Sequence, residues 1–212
     1  MTDLKIKVCG MTDPVNVQAV CKYRPDYMGF IFYHRSVRYV GGDPDPELFS
    51  AVPEGVKKTA VFVNEHYEKM IETTGKHGIE VLQLHGMESP ETCKALRIHG
   101  KTVIKVFPAD QLENERLLSD YSGAADYFLF DTPVISHGGS GRKFDWSALN
   151  RLRSDVNFFL SGGISATDAA LIKSIDLTSL YAVDINSRFE TEPGMKDPEL
   201  VGKFINEIRD EK

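Results

Sequence analysis

The chain has 212 residues, 42% of them apolar, and a formal net charge of −6. That length buries a full core as one domain, and an acidic balance without a basic cluster speaks against nucleic-acid binding. Its apolar runs, such as Tyr27–Tyr33, are too short to span a bilayer, which excludes a membrane partner of that kind.

In chain order, the opening Met1-Thr-Asp-Leu-Lys-Ile-Lys7 is charged and carries no signal-peptide apolar stretch. Cys9, Cys21 and Cys93 are an odd set without metal-ligand spacing, which predicts free thiols in a reducing compartment. A cytoplasmic protein without metal or cofactor is expected. Strands are predicted at Leu4–Cys9, Tyr27–Phe32, Lys57–Val63, Val81–Leu84, Val103–Phe107, Tyr127–Phe130, Phe158–Leu160 and Leu180–Val183. Helix starts fall between them. Thr12-Asp13-Pro14, Asp45-Pro46-Glu47, Ser89-Pro90-Glu91 and Asp197-Pro198-Glu199 each combine a capping side chain with a proline in the first turn. Asp145 caps a further segment from Trp146. The last helix places Leu200, Val201, Phe204, Ile205 and Ile208 on one face.

Strands recurring every ~20–30 residues with helices between them are βα units. Eight of them predict an α/β fold, a single-domain (β/α)8 TIM barrel over residues 1–212, with an open doubly wound sheet as the alternative. In a barrel the active site forms where strands end and the next loops begin.

Cys9 ends strand one before Gly10. A lone cysteine is more often packed than reactive, but this position makes it a candidate base if neighbours lower its pKa. Asp131 ends strand six. It reads either as a cap or as an acid–base partner facing Cys9, an arrangement suited to a cofactor-free isomerisation. Arg38 offers two N–H donors to a carboxylate; Arg35 and Arg142 are rivals that spacing does not separate. His85, ending strand four, reads first as a structural histidine and second as a substrate contact. Asp184 either orients a substrate hydroxyl or caps the next helix. Gly139 and Gly141, Gly162 and Gly163, and Asn186 and Ser187 fall after strands six, seven and eight, where a phosphate is commonly held. Ser165-Ala-Thr-Asp168 adds a helix start beside the second pair. The ligand class is a small phosphorylated molecule. Oligomeric state, monomer or homodimer, is left open.

Several ordered segments resemble the phosphoribosylanthranilate isomerase family of tryptophan biosynthesis. They are Lys7-Val-Cys9-Gly10-Met-Thr12, Gly29-Phe-Ile-Phe-Tyr33 with Ser36-Val-Arg38-Tyr39-Val40, Val61-Phe-Val-Asn64 and Leu82-Gln-Leu-His85-Gly86. Further along come Phe130-Asp131-Thr132, Gly138-Gly-Ser-Gly141 with Phe144-Asp145-Trp146, Leu160-Ser-Gly-Gly-Ile164, and Ala182-Val-Asp184 through Pro193-Gly194-Met-Lys196-Asp197. Together they span nearly the whole chain. The resemblance implies an Amadori rearrangement with Asp131 as general acid, Cys9 as general base, Arg38 on the anthranilate carboxylate and the glycine loops on the phosphate. One departure stands out: Arg188 occupies a position where the family commonly has glycine. Sister isomerases on the same fold lack the Cys-Gly pair, and a dual-substrate tryptophan and histidine enzyme calls for aspartate at the first-strand base. A non-catalytic phosphate-binding sensor or scaffold would have no need of both Cys9 and Asp131.

Overall fold

A computed structural model describes residues 4–131, 146–152 and 154–210. Eight parallel strands close on themselves: β1 (Lys5–Cys9), β2 (Tyr27–Ile31), β3 (Lys57–Phe62), β4 (Val81–Leu84), β5 (Thr102–Pro108), β6 (Tyr127–Asp131), β7 (Phe158–Leu160) and β8 (Leu180–Ile185). Closure is made by β1 and β8, with Lys7 in register with Asp184. The barrel is the predicted one, and the open sheet is excluded.

The helices begin where capping chemistry placed them. In α1 (Pro14–Cys21) the Asp13 carboxylate accepts from the Asn16 N–H at 2.7 Å. The side chains of Asp45 and Ser89 do the same for α2 (Pro46–Ser50) and α4 (Pro90–Ile98). Asp197 accepts from two N–H groups of α7 (Pro198–Arg209), which buries Val201, Phe204, Ile205 and Ile208 and half-buries Leu200. The remaining helices are α3 (Tyr67–Lys76), α5 (Glu115–Tyr121) and α6 (Ala169–Lys173). The start at Ser165 forms a capping box with Asp168, but it opens a short 3-10 turn before α6. The expected cap at Asp145 lies outside the described residues.

Two apolar layers result. The outer one lies between strands and helices. The inner one fills the barrel with Val81, Ile104, Val106, Leu129, Phe159 and Ala182, closed at the strands' N-terminal end by Tyr27, Tyr127 and Tyr181. Tyr27 and Tyr181 share a hydroxyl hydrogen bond of 2.9 Å, and Tyr127 stacks on Tyr181 at 4.5 Å. The tyrosine hydroxyls meet each other, which satisfies their polar ends inside an apolar plug. The opposite end is left to polar groups.

Three strands run longer than expected. β5 takes in Thr102 and Pro108. β6 includes Asp131, and β8 continues to Ile185, so Asp184 lies within the strand. After β8 comes a hairpin absent from the sequence reading, β9 (Glu190–Glu192) with β10 (Met195–Lys196).

Candidate active site

Strand alternation sends Lys7 and Cys9 to the same face of β1. Cys9 is 4% exposed, and Gly29 on β2 is what admits it: a Cβ there would lie 2.8 Å from the sulfur. Gly10 (φ +81°) turns the chain away directly after the thiol, and a Cβ there would meet Arg38 Cδ at 2.7 Å and Asn186 Oδ1 at 2.8 Å. The Cys-Gly pair is therefore required by close approach from three sides. Lys7 is fully buried and donates to Asp184 Oδ1 at 2.9 Å.

These charges correct two expectations. Burial pushes the Cys9 thiol above its ordinary value; Lys7 and, more weakly, Lys196 pull it back, while Asp184 adds to the push. The neighbours do not bring it below an ordinary thiol. Asp184 is not a helix cap: it is a buried strand residue, its carboxyl raised by burial and held down by Lys7 and Lys196. Burial opposes the Lys7 charge, yet Asp184 and Cys9 keep its pKa raised.

Asp131 and His85 meet across the mouth, Nε2 to Oδ2 at 3.6 Å, both partly exposed. Gln83 Nε2 lies 3.2 Å from His85 Nδ1. With the Gln83 amide as donor, Nδ1 accepts and the Nε2 hydrogen faces Asp131. His85 is thus a mouth residue. Its loop is fixed by a buried pair: Lys105 Nζ donates to Gly86 O at 2.6 Å and to Glu88 Oε2 at 3.1 Å, while Glu88 accepts from the Asn64 N–H at 2.8 Å.

Arg38 is buried, and its fork is occupied. Nε and Nη2 grip both oxygens of Glu190 at 2.8 and 2.6 Å. Lys196 Nζ bridges Glu190 Oε1 at 2.6 Å and Asn186 Oδ1 at 2.9 Å. Burial works against the Glu190 charge, but Arg38 and Lys196 outweigh it and hold the carboxyl below its ordinary range. Burial lowers Lys196 in spite of Glu190. The Asn186 Oδ1 thus lies beside Gly10 and accepts from Lys196, an acceptor's role that does not draw on the residue's N–H donors. Arg35 is exposed.

Gly162 and Gly163 both have positive φ, +92° and +68°. Ser187 opens a 3-10 turn with the exposed Arg188. Gly139, Gly141 and Arg142 lie outside the described residues. Among the described residues no His, Cys, Asp or Glu cluster could hold a metal ion, and no helix is long and apolar enough to cross a membrane. A surface groove lined by Tyr23, Glu199, Gly202 and Lys203 lies on the outer helices, away from the strand ends that carry these groups.

The sequence profile described as N-(5'phosphoribosyl)anthranilate (PRA) isomerase matches residues 6–207. The chain belongs to the phosphoribosylanthranilate isomerase family. The N-(5'-phosphoribosyl)anthranilate isomerase of Parabacteroides distasonis is 41% identical over 204 residues, covering 96% of this chain and 92% of the relative. That of Phocaeicola vulgatus is 40% identical, covering 96% and 97%. The solved phosphoribosyl anthranilate isomerase of Thermotoga maritima has a TM-score of 0.82 at 30% identity, over 98% of this chain and 99% of that one. Another, in complex with reduced 1-(o-carboxyphenylamino)-1-deoxyribulose 5-phosphate, has a TM-score of 0.80 at 28% identity, with the same coverage.

Four groups in this isomerase-family mouth escaped the sequence reading: Lys7, Gln83, Glu190 and Lys196. Lys7 and Gln83 had a signal, being two residues before Cys9 and His85 on their strands and so on the same face. Pro193-Gly194 marks a turn and hints at the hairpin. Nothing local pairs Glu190 with Arg38.

Proposed function

We propose that the chain performs the Amadori rearrangement of N-(5-phosphoribosyl)anthranilate to 1-(2-carboxyphenylamino)-1-deoxyribulose 5-phosphate, an aldose–ketose isomerisation of tryptophan biosynthesis in the cytoplasm. Family membership supports the reaction. The observation that carries the roles is that Cys9 and Asp131 terminate β1 and β6 at the same end of the barrel.

Asp131 protonates the ribose ring oxygen, and the ring opens to a Schiff base. Cys9 then removes the C2 proton, giving an enolamine that tautomerises to the ketone. Oxidation at C2 balances reduction at C1 within one molecule, so the scheme calls on no external redox group. A raised thiol pKa leaves little thiolate at neutral pH but makes that thiolate a stronger base. Arg38, held by Glu190 along its Nε edge, turns its Nη1 edge to the anthranilate carboxylate. N–H groups around Gly162, Gly163, Asn186 and Ser187 hold the phosphate, and the expected set includes Gly139 and Gly141. His85 stands beside the acid, and Asp184, paired with Lys7, stands beside the base; both are candidate substrate contacts.

Loss of phosphoribosylanthranilate fluorescence on adding purified protein is the test. No turnover would remove the reaction. Turnover retained at native level in Cys9→Ala or Asp131→Asn would remove the corresponding role.

A further inference from the structure

The barrel mouth sets a buried cation, Lys7, beside two groups that can each bear a negative charge. Lys7 is fully buried, in register with Asp184 across β1 and β8, and its Nζ lies 2.9 Å from the carboxylate. It stands two residues before Cys9 on the same face of β1, both side chains buried, so its charge bears on the sulfur. From β2, Gly29 faces the sulfur. From the hairpin comes Lys196, bound to Glu190, which also holds Arg38. Asp131 and His85 stand across the mouth. A buried ammonium supports one adjacent anion well and a second poorly, because the second meets the cost of burial without a counter-ion.

We propose that Lys7 is a positioning residue that carries the counter-charge of the Cys9 base, and that Asp184 competes with Cys9 for it. In the resting site the anion sits on Asp184 and Cys9 is a thiol. Thiolate forms only as far as Lys7 can be shared. This rests on Cys9 being the base, so the experiment separates the two claims.

Protein labelled with [13Cβ]cysteine gives one Cβ signal for each of three cysteines, and the Cys9 signal is the one lost in Cys9→Ser. Its shift against pH reads thiol ionisation without turnover. Asp184→Asn is expected to lower the Cys9 midpoint by about 1–3 pH units, and Lys7→Met added to Asp184→Asn to raise it again by a similar amount. The double variant leaves no buried carboxylate unpaired, which avoids the folding cost of Lys7→Met alone. A purely structural role would not move the midpoint in opposite directions. An unchanged midpoint in Asp184→Asn, or no rise on adding Lys7→Met, overturns the proposal. The acid limb of kcat/KM is followed in the same variants. A limb that tracks the midpoint supports the positioning role; a limb that stays put while the midpoint moves removes Cys9 as the base and leaves the Lys7–thiol coupling standing.

Discussion

Cys9 sits where burial and charge oppose each other, and burial prevails. The ordinary thiol value is 9.0, and the Cys9 thiol lies above it. The reactive form is the deprotonated one, so activity rises as pH climbs toward that raised value. We expect kcat/KM to increase steadily through neutral pH into the alkaline range; a plateau reached by pH 6 would show that another group limits the base. Cys9→Ala and Asp131→Asn should each reduce turnover by about 10²–10⁴-fold, the usual effect of losing a positioned acid or base. Their urea unfolding curves should stay close to the parent's. At the phosphate end, Gly163 has φ +68°, where a β-branched side chain is strained. Gly163→Val should weaken binding of a product analogue strongly, by strain and by filling the cradle. Isothermal titration checks it, and parent-like affinity would move the phosphate elsewhere.

The hairpin of β9 and β10 is the element that holds Arg38, the proposed carboxylate-binding residue. Glu190 is its centre, held by Arg38 from the β2 loop and by Lys196 from the paired strand. Both ion pairs are nearly solvent-free, so losing one member leaves charge unpaired. Glu190→Gln should cost about 3–5 kcal/mol in urea unfolding. The sign with pH follows from the depressed carboxyl. Its ordinary value is 4.5, so the stabilisation is complete above that pH and lost as pH falls through the lower folded-state value. The parent should therefore lose stability on acidification in that window faster than Glu190→Gln does. Parallel unfolding curves across acidic pH would show that the pair contributes nothing to stability.

At the scale of the molecule, the two ends of the barrel have different work. The N-terminal end is an aromatic plug in which Phe159 contacts Tyr27, Tyr127 and Tyr181 at centroid distances of 5.4, 5.5 and 5.5 Å. The C-terminal end carries Cys9 and Asp131, the proposed proton-transfer groups. Phe159→Ala should destabilise by about 3–5 kcal/mol through the cavity it leaves. It should leave KM for phosphoribosylanthranilate near the parent value at temperatures where the variant is folded. A large KM change measured there would mean that the plug sets the mouth's geometry.

What the sequence determined by itself was local. Short β-rich runs, Asp-Pro and Ser-Pro caps and glycines after strands are written in neighbouring residues, so the strand starts and ends fell within two residues of those observed. The barrel, and Cys9 and Asp131 at its rim, followed from that grammar. Position alone made Cys9 and Asp131 a candidate acid–base pair and left Arg38 among rivals for a carboxylate; their specific steps came from the family resemblance. Only the tertiary structure decided who faces whom. Lys7 and Asp184 are separated by 177 residues, and Arg38 and Glu190 by 152. Closing β8 against β1 brings the first pair together, and folding the hairpin over the mouth brings the second. The direction of the thiol's pKa was equally out of reach, because it depends on how much water those closures exclude and which charges they enclose. Local chemistry sets where each strand ends; barrel closure sets the electrostatics that the ends experience.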